Sequence, residues 1–184
     1  MSLPTDAELN SIGVLKRRLI EARIVAPLIR AFAAEIGEAR AHAIARDVII
    51  GIAREQGNAL AGSAGGRTLP QFAGTLDRWV EDDALRIESL EQSDDVFAFN
   101  VTRCRYAEMY RELGIPELGA IFSCNRDGAL IEGFNEDVDL QRTQTIMGGA
   151  NHCDFRYRLR RAPAAPDAPD APDAHEAHDT VRPK

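Results

Sequence analysis

The sequence predicts an α+β fold in which helices come first and a mostly antiparallel sheet follows. Three observations carry this. Apolar residues recur at helical spacing from Thr5 to about Val80. From Ala84 to Arg161, alternating runs mix with short helical patterns. From Ala162 to Lys184 both periodicities stop. The expected organisation is one domain over 1–161, helical over 5–80 and mixed over 84–161, followed by a tail over 162–184.

In the helical part, Thr5 and Glu8 have capping-box spacing, in which each side chain satisfies an orphan backbone donor. Leu9, Ile12, Leu15 and Leu19 then share a helical face, with Lys16, Arg17 and Arg18 mostly on others. Pro27 is expected to kink or break the run. A second helix follows Gly37, with Ile44, Val48 and Ile52 one turn apart. Asn58 to Gly66 reads as a loop. Thr68 caps a third helix with Pro70 in its first turn, and Phe72, Leu76 and Trp79 face its core.

In the mixed part, Leu85–Leu90 and Val96–Thr102 form a hairpin across residues 92–95. Phe97, Phe99 and Val101 lie on one face of the second strand, and Val96, Ala98, Asn100 and Thr102 on the other. Tyr106, Met109, Tyr110 and Leu113 predict a helix ending at Gly114, and a short helix runs from Pro116 to about Cys124. Residues 125–128 read as a turn. Strands are expected over 129–134, 140–147 and 151–160. The tail, built on an APDAPDAPDA repeat, has too little apolar content to offset its ordering entropy and is expected to be disordered. Its His175 and His178 read as solvated.

Composition narrows function. No unbroken apolar run is long enough for a membrane helix, and the start lacks a basic and apolar leader, so the expected location is the cytoplasm. The formal charge is −7, with five acids and two bases from Ala162 onward, so the remaining chain is acidic too. An acidic body is a poor match to a phosphate backbone, which argues against nucleic acid. The cysteines are Cys104, Cys124 and Cys153, an odd count without a CxxC pair, which predicts free thiols and no zinc knuckle.

The informative stretch is NVTRCRYAEMYRELGIPELGAIFSCNRDGALIEGFN, followed by LQRTQTIMGGANHCDFRYR. It places many polar and reactive groups among core positions, where each must be paired. Its blocks are Asn100 to Cys104 with Glu108, Ser123 to Asp127, Glu132 to Asn135, Arg142 to Thr145, and His152 to Arg156. In that order they resemble the signature of the L-2-amino-thiazoline-4-carboxylic acid hydrolases. Gly148-Gly149 departs from the family pattern, which has a bulkier residue there.

The resemblance implies opening of 2-amino-Δ2-thiazoline-4-carboxylate, or a related cyclic amidine or isothiourea acid, to N-carbamoyl-L-cysteine. Water or a thiolate adds at C2, and the ring sulfur leaves. This needs a nucleophile or base, a carboxylate for the amidinium and a cation for the substrate carboxylate. Cys153 is the first candidate nucleophile, and its bland alternative is a core residue beside Phe155, Tyr157 and Leu159. His152 points to the opposite strand face and could serve as base for water with Asp154. Cys124 and Cys104 are alternative thiols, Cys104 near a helix start that favours a thiolate. Asp127 and Glu132 could grip the amidinium, with Gly133 allowing close approach of a ligand. Arg142 and Arg103 could hold the carboxylate, and Asn100, Thr102 and Asn135 complete the expected binding set. No cofactor is implied. Metal ligation by His152, Asp154 and a cysteine matches no established spacing. The competing reading is a small-molecule sensing domain without turnover. The expected partner is a small-molecule substrate. A homo-oligomer is compatible with the chain, and pairing through the N-terminal helices requires a large exposed apolar helix face.

Overall fold

A computed structural model of the protein describes residues 6–160. Thr5, with its expected cap, and the tail with His175 and His178 lie outside the described residues. The first helix does not run from the start as one piece. α1 covers Asp6–Leu9, a 3-10 turn covers Asn10–Ile12, and α2 covers Val14–Ile36. Gly13 separates them at φ 87°, a left-handed geometry that only glycine adopts freely. Pro27 sits inside α2, and the break it could impose does not occur. Ala22, Ala26 and Ile29, buried on either side of it, hold the helix through the missing backbone bond.

The buried row of α2 is Val14, Arg18, Ala22, Ala26 and Ile29. Arg18 therefore faces the interior, where the sequence placed it on another face. Small side chains let the rest of the protein approach this row closely. The bulky row of Ile20, Ile24, Leu28, Phe32 and Ile36 faces outward. α3, Glu38–Ser63, starts directly after Gly37 as expected, and its Ile44, Val48 and Ile52 are exposed as well.

The third expected helix is two short ones, α4 over Leu69–Ala73 and α5 over Asp77–Val80. Thr68 and Gln71 make the reciprocal capping box at the start of α4. Phe72 is buried, and its ring lies 6.5 Å from that of Trp79.

β1, Leu85–Gln92, and β2, Val96–Cys104, form the expected hairpin. With β3, Val138–Gln141, and β4, Cys153–Leu159, they make one antiparallel sheet ordered β1-β2-β4-β3. Phe97, Phe99 and Val101 pair with Tyr157, Phe155 and Cys153, so these six line the inner face. Asn100 pairs with Asp154 on the outer face.

α6, Arg105–Glu112, ends at Gly114, whose φ is 65°. α7, Pro116–Gly119, leads through a π-helical turn at Ala120–Cys124 into α8, Asn125–Phe134. The turn expected at 125–128 and the strand expected at 129–134 are thus one helix. A short apolar run reads equally as strand or helix, and contact with α3 decides. A Cβ on Gly133 would sit 1.9 Å from the Arg54 carbonyl oxygen, and one on Gly57 would sit 2.0 Å from that of Leu130. Gly133 admits a neighbouring helix, not a ligand. The strand expected at 140–147 stops at Gln141. No described helix is long and apolar enough to cross a membrane.

Candidate active site

Between the inner face of the sheet and the helices lies a cavity of about 440 Å³. That volume accommodates a small organic molecule. Cys104, Cys124 and Cys153 all line it, together with Asp127 and Arg142. Local structure explains the convergence. Cys124 and Asp127 are three residues apart on continuous helix, so they share a face. Cys153 opens β4 on the inner side of the sheet. Arg142 leaves the end of β3 and reaches across to α8.

Arg142 is the organising group. Its Nη1 donates to Asp127 Oδ2, and its Nη2 donates to the Cys124 carbonyl at 3.0 Å. Its guanidinium carbon lies 5.1 Å from the centre of the Phe155 ring, within range of a cation–π contact. Burial raises the pKa of Asp127, while Arg142 pulls the other way. A carboxyl so placed holds a proton more readily than one in water.

The thiols are not primed. Burial pushes Cys124 up to about 12 and Cys104 up to about 11. For Cys104 this outweighs the backbone N–H groups of Ala107 and Tyr106 at the helix start, contrary to the thiolate the sequence favoured there. Burial raises Cys153 too, although its Sγ accepts the Ile146 N–H at 3.2 Å.

The other sequence-predicted residues lie outside the cavity lining. His152 stands between Asn151 and Gln144, with Nδ1 2.6 Å from Asn151 Oδ1 and Nε2 2.9 Å from Gln144 Nε2. Asp154 accepts from Thr143 N, Thr143 Oγ1 and Gln144 N, so its partner is the loop after β3 and not His152. Asn100 bonds Arg156 and Glu88, and Thr102 bonds the Arg86 carbonyl, all on the outer sheet face or its edge. Arg103 forks onto Glu108 at 2.9 and 3.0 Å and also meets Asp83. Glu132 pairs with Arg54 on the surface. Asn135 ends α8, donating to the Arg67 carbonyl and accepting from Asp137 N. Among the described residues, no group of three or more His, Cys, Asp or Glu could hold a metal ion.

The sequence reading missed Arg18, Gln56, Tyr106 and Arg126, which also line the cavity. Arg18 carried a signal, since it falls in the four-residue row Val14, Arg18, Ala22, Ala26 of otherwise small apolar residues. Arg126 lies in the block Ser123 to Asp127, but a turn at 125–128 gives it no inward face, and only the helix of α8 does.

Asp154 gives a test of the loop. Slight burial raises its pKa, but the Thr143 hydroxyl and the Gln144 and Thr143 N–H groups outweigh that and hold it at about 2. Its folded value lies below its unfolded one. It therefore stabilises the fold above roughly pH 4, and that stability fades as pH falls through about 2. Asp154→Asn should melt lower than wild type at pH 7, with the gap closing toward pH 2. A constant gap would show that the charge is not what holds the loop.

The profile of the L-2-amino-thiazoline-4-carboxylic acid hydrolase family matches residues 17–157. The chain belongs to this family. The match to the hydrolase family takes in α2 from Arg17 onward, all four strands except the last two residues of β4, and every cavity residue except Val14. No curated protein matches the chain. Among solved structures, it is similar to a trafficking protein particle complex subunit 3 from Naegleria fowleri covalently bound to palmitic acid. Identity there is 9%, the TM-score is 0.48, and the match covers 79% of this chain and 96% of the other.

Proposed function

We propose that the protein is a hydrolase that opens L-2-amino-thiazoline-4-carboxylate, or a related cyclic amidine or isothiourea acid, to N-carbamoyl-L-cysteine or its analogue. The observation that carries this is the Asp127–Arg142 pair set into a cavity beside Cys124 and Cys153. Membership of the hydrolase family supports it.

The chemistry follows from the pair. The amidinium of the substrate competes with Arg142 for Asp127 and presents C2 to the carboxyl. Asp127, with its raised proton affinity, accepts a proton from water as the oxygen bonds to C2. The tetrahedral centre collapses, the C2–S bond breaks, and the proton returns to sulfur. A urea and a free thiol result, with one water consumed and the extra proton of the amidinium released to solvent as the tetrahedral centre loses its hydroxyl proton. Burial keeps the cysteine thiols protonated, which favours this route over attack by a resting thiolate.

The test is to incubate the protein with the thiazoline acid and follow the ureido product by mass spectrometry. Stoichiometric binding without product refutes the reading. Cys153→Ser separates the two routes. On the water route it keeps activity within about tenfold of wild type, whereas a thiolate route loses two or more orders of magnitude. Loss on that scale with unchanged melting would return the nucleophile to Cys153.

A further inference from the structure

The hydrolytic pair occupies only part of the cavity. Elsewhere in its lining, Arg126 is 9% exposed and Arg18 is 7% exposed. Arg18 shares Glu21 with Arg17. Arg126 has Gln56 Oε1 as its hydrogen-bond partner and no carboxylate partner among the described residues. Glu21 and Asp127 act on Arg126 only from beyond ion-pair distance, and a buried guanidinium with no anion in direct contact is costly. Beside them, Tyr106 is 6% exposed, and its hydroxyl has no hydrogen-bond partner among the described residues. A buried unsatisfied hydroxyl points to a missing acceptor. Much of the remaining lining is apolar, including Leu60, Phe72, Leu76, Trp79 and Phe99. Thiazoline carboxylate has nine non-hydrogen atoms and would fill only about a third to a half of the space.

We infer that the cavity takes a monocarboxylate with an extended apolar body, its carboxylate held by Arg126, Arg18 and the Tyr106 hydroxyl. One carboxylate supplies the missing charge and the missing acceptor together. A dianion is disfavoured, because Asp127 lies close enough to act electrostatically on both Arg126 and Tyr106. The inference rests on the same cavity as the proposed hydrolysis but needs no turnover, so equilibrium binding tests it separately.

Trp79, the one tryptophan, lines the cavity and reports occupancy by its fluorescence. Decanoate is expected to titrate it to saturation at one per chain, and 1-decanol to bind at least about tenfold more weakly. Arg126→Gln should weaken decanoate by about 30-fold or more, and Arg126→Lys by less. Tyr106→Phe should weaken it by about three- to tenfold, yet melt at the same or a higher temperature without ligand. If Arg126→Gln does not fold, Arg126→Lys and Tyr106→Phe carry the comparison. Arg103→Gln, on the surface, should bind as wild type. Equal affinity for decanoate and decanol, no saturable decanoate signal, or unchanged decanoate affinity in all the cavity variants that fold would overturn the inference. Each result is independent of whether the thiazoline acid is opened.

A second observation stands apart from the cavity. Ile20, Ile24, Leu28, Phe32 and Ile36 of α2, with Ile44, Val48 and Ile52 of α3, are 41–63% exposed. A groove of about 340 Å³ lies among them. Together they expose on the order of 800 Å² of apolar surface, the share one partner contributes to a stable interface. A single-chain surface rarely leaves so large a patch bare. Exposed charges on the same two helices have both signs, with Arg23, Glu35, Arg40 and Asp47 among them, so a two-fold copy meets no uniform repulsion. The geometry points to a second copy of this chain as the occupant, the two helix pairs packing into a four-helix layer. Sedimentation at tens of micromolar should give twice the chain mass of 20.2 kDa. Phe32→Glu with Val48→Lys should give folded monomer. A monomeric wild type, or a dimer that survives both changes, overturns this.

Discussion

Asp127→Asn should lower kcat/KM for ring opening by about 10²- to 10⁴-fold, the range expected for loss of a general base. The substitution keeps the shape and a hydrogen bond to Arg142 but removes the only carboxylate that lines the cavity among the described residues. The pH profile gives an independent check. Burial raises Asp127, so wild-type activity should fall, one proton per site, as pH drops through that raised value. Any activity left in Asp127→Asn should lack this acid limb. Arg142 loses its charged partner in this variant, so a lower melting temperature is expected, and rates belong well below it. If Asp127→Asn keeps full activity with the same acid limb, the base lies elsewhere and the proposed chemistry fails.

Gly133→Ala should cost roughly 3 kcal/mol or more, a drop of about 10 °C in Tm. The methyl would lie 1.9 Å from the Arg54 carbonyl oxygen, which is backbone and cannot swing aside. α3 and α8 must separate or shift. Gly57→Ala meets the Leu130 carbonyl at 2.0 Å and should behave alike. Gly51→Ala is the control on α3. Its methyl meets nothing within 4 Å, so helix propensity should leave stability unchanged or raise it by up to about 1 kcal/mol. Chemical denaturation of the three variants decides. Equal stability for Gly133→Ala and Gly51→Ala would mean that the two helices are not locked by these glycines. A shift of α8 would also carry Asp127 and Arg126 with it, so Gly133→Ala should lose activity before it unfolds.

The sequence by itself determined the α+β class, the hairpin of β1 and β2, the helix cap at Thr68, and the faces of β2. These are local features, set by two-residue and four-residue periods and by turn chemistry within a few positions. It also determined the family, through blocks whose order and residue types hold without a structure. Only the tertiary structure decided which polar residues of those blocks meet. Asn100, Thr102, Asp154 and Arg156 share the outer sheet face or its edge, while Cys153 points inward, because one residue of register reverses a side chain. Residues 125–134 became a helix because a glycine at 57 and another at 133 let two backbones touch, a long-range fit that no local pattern encodes. That helix then put Asp127 and Arg126 into the cavity. Arg18 joined them because α2 buries its small-residue row and leaves its bulky one outside. Burial is a property of what packs against a residue, and so are the pKa shifts it causes; neither is written in the residue's own neighbourhood along the chain.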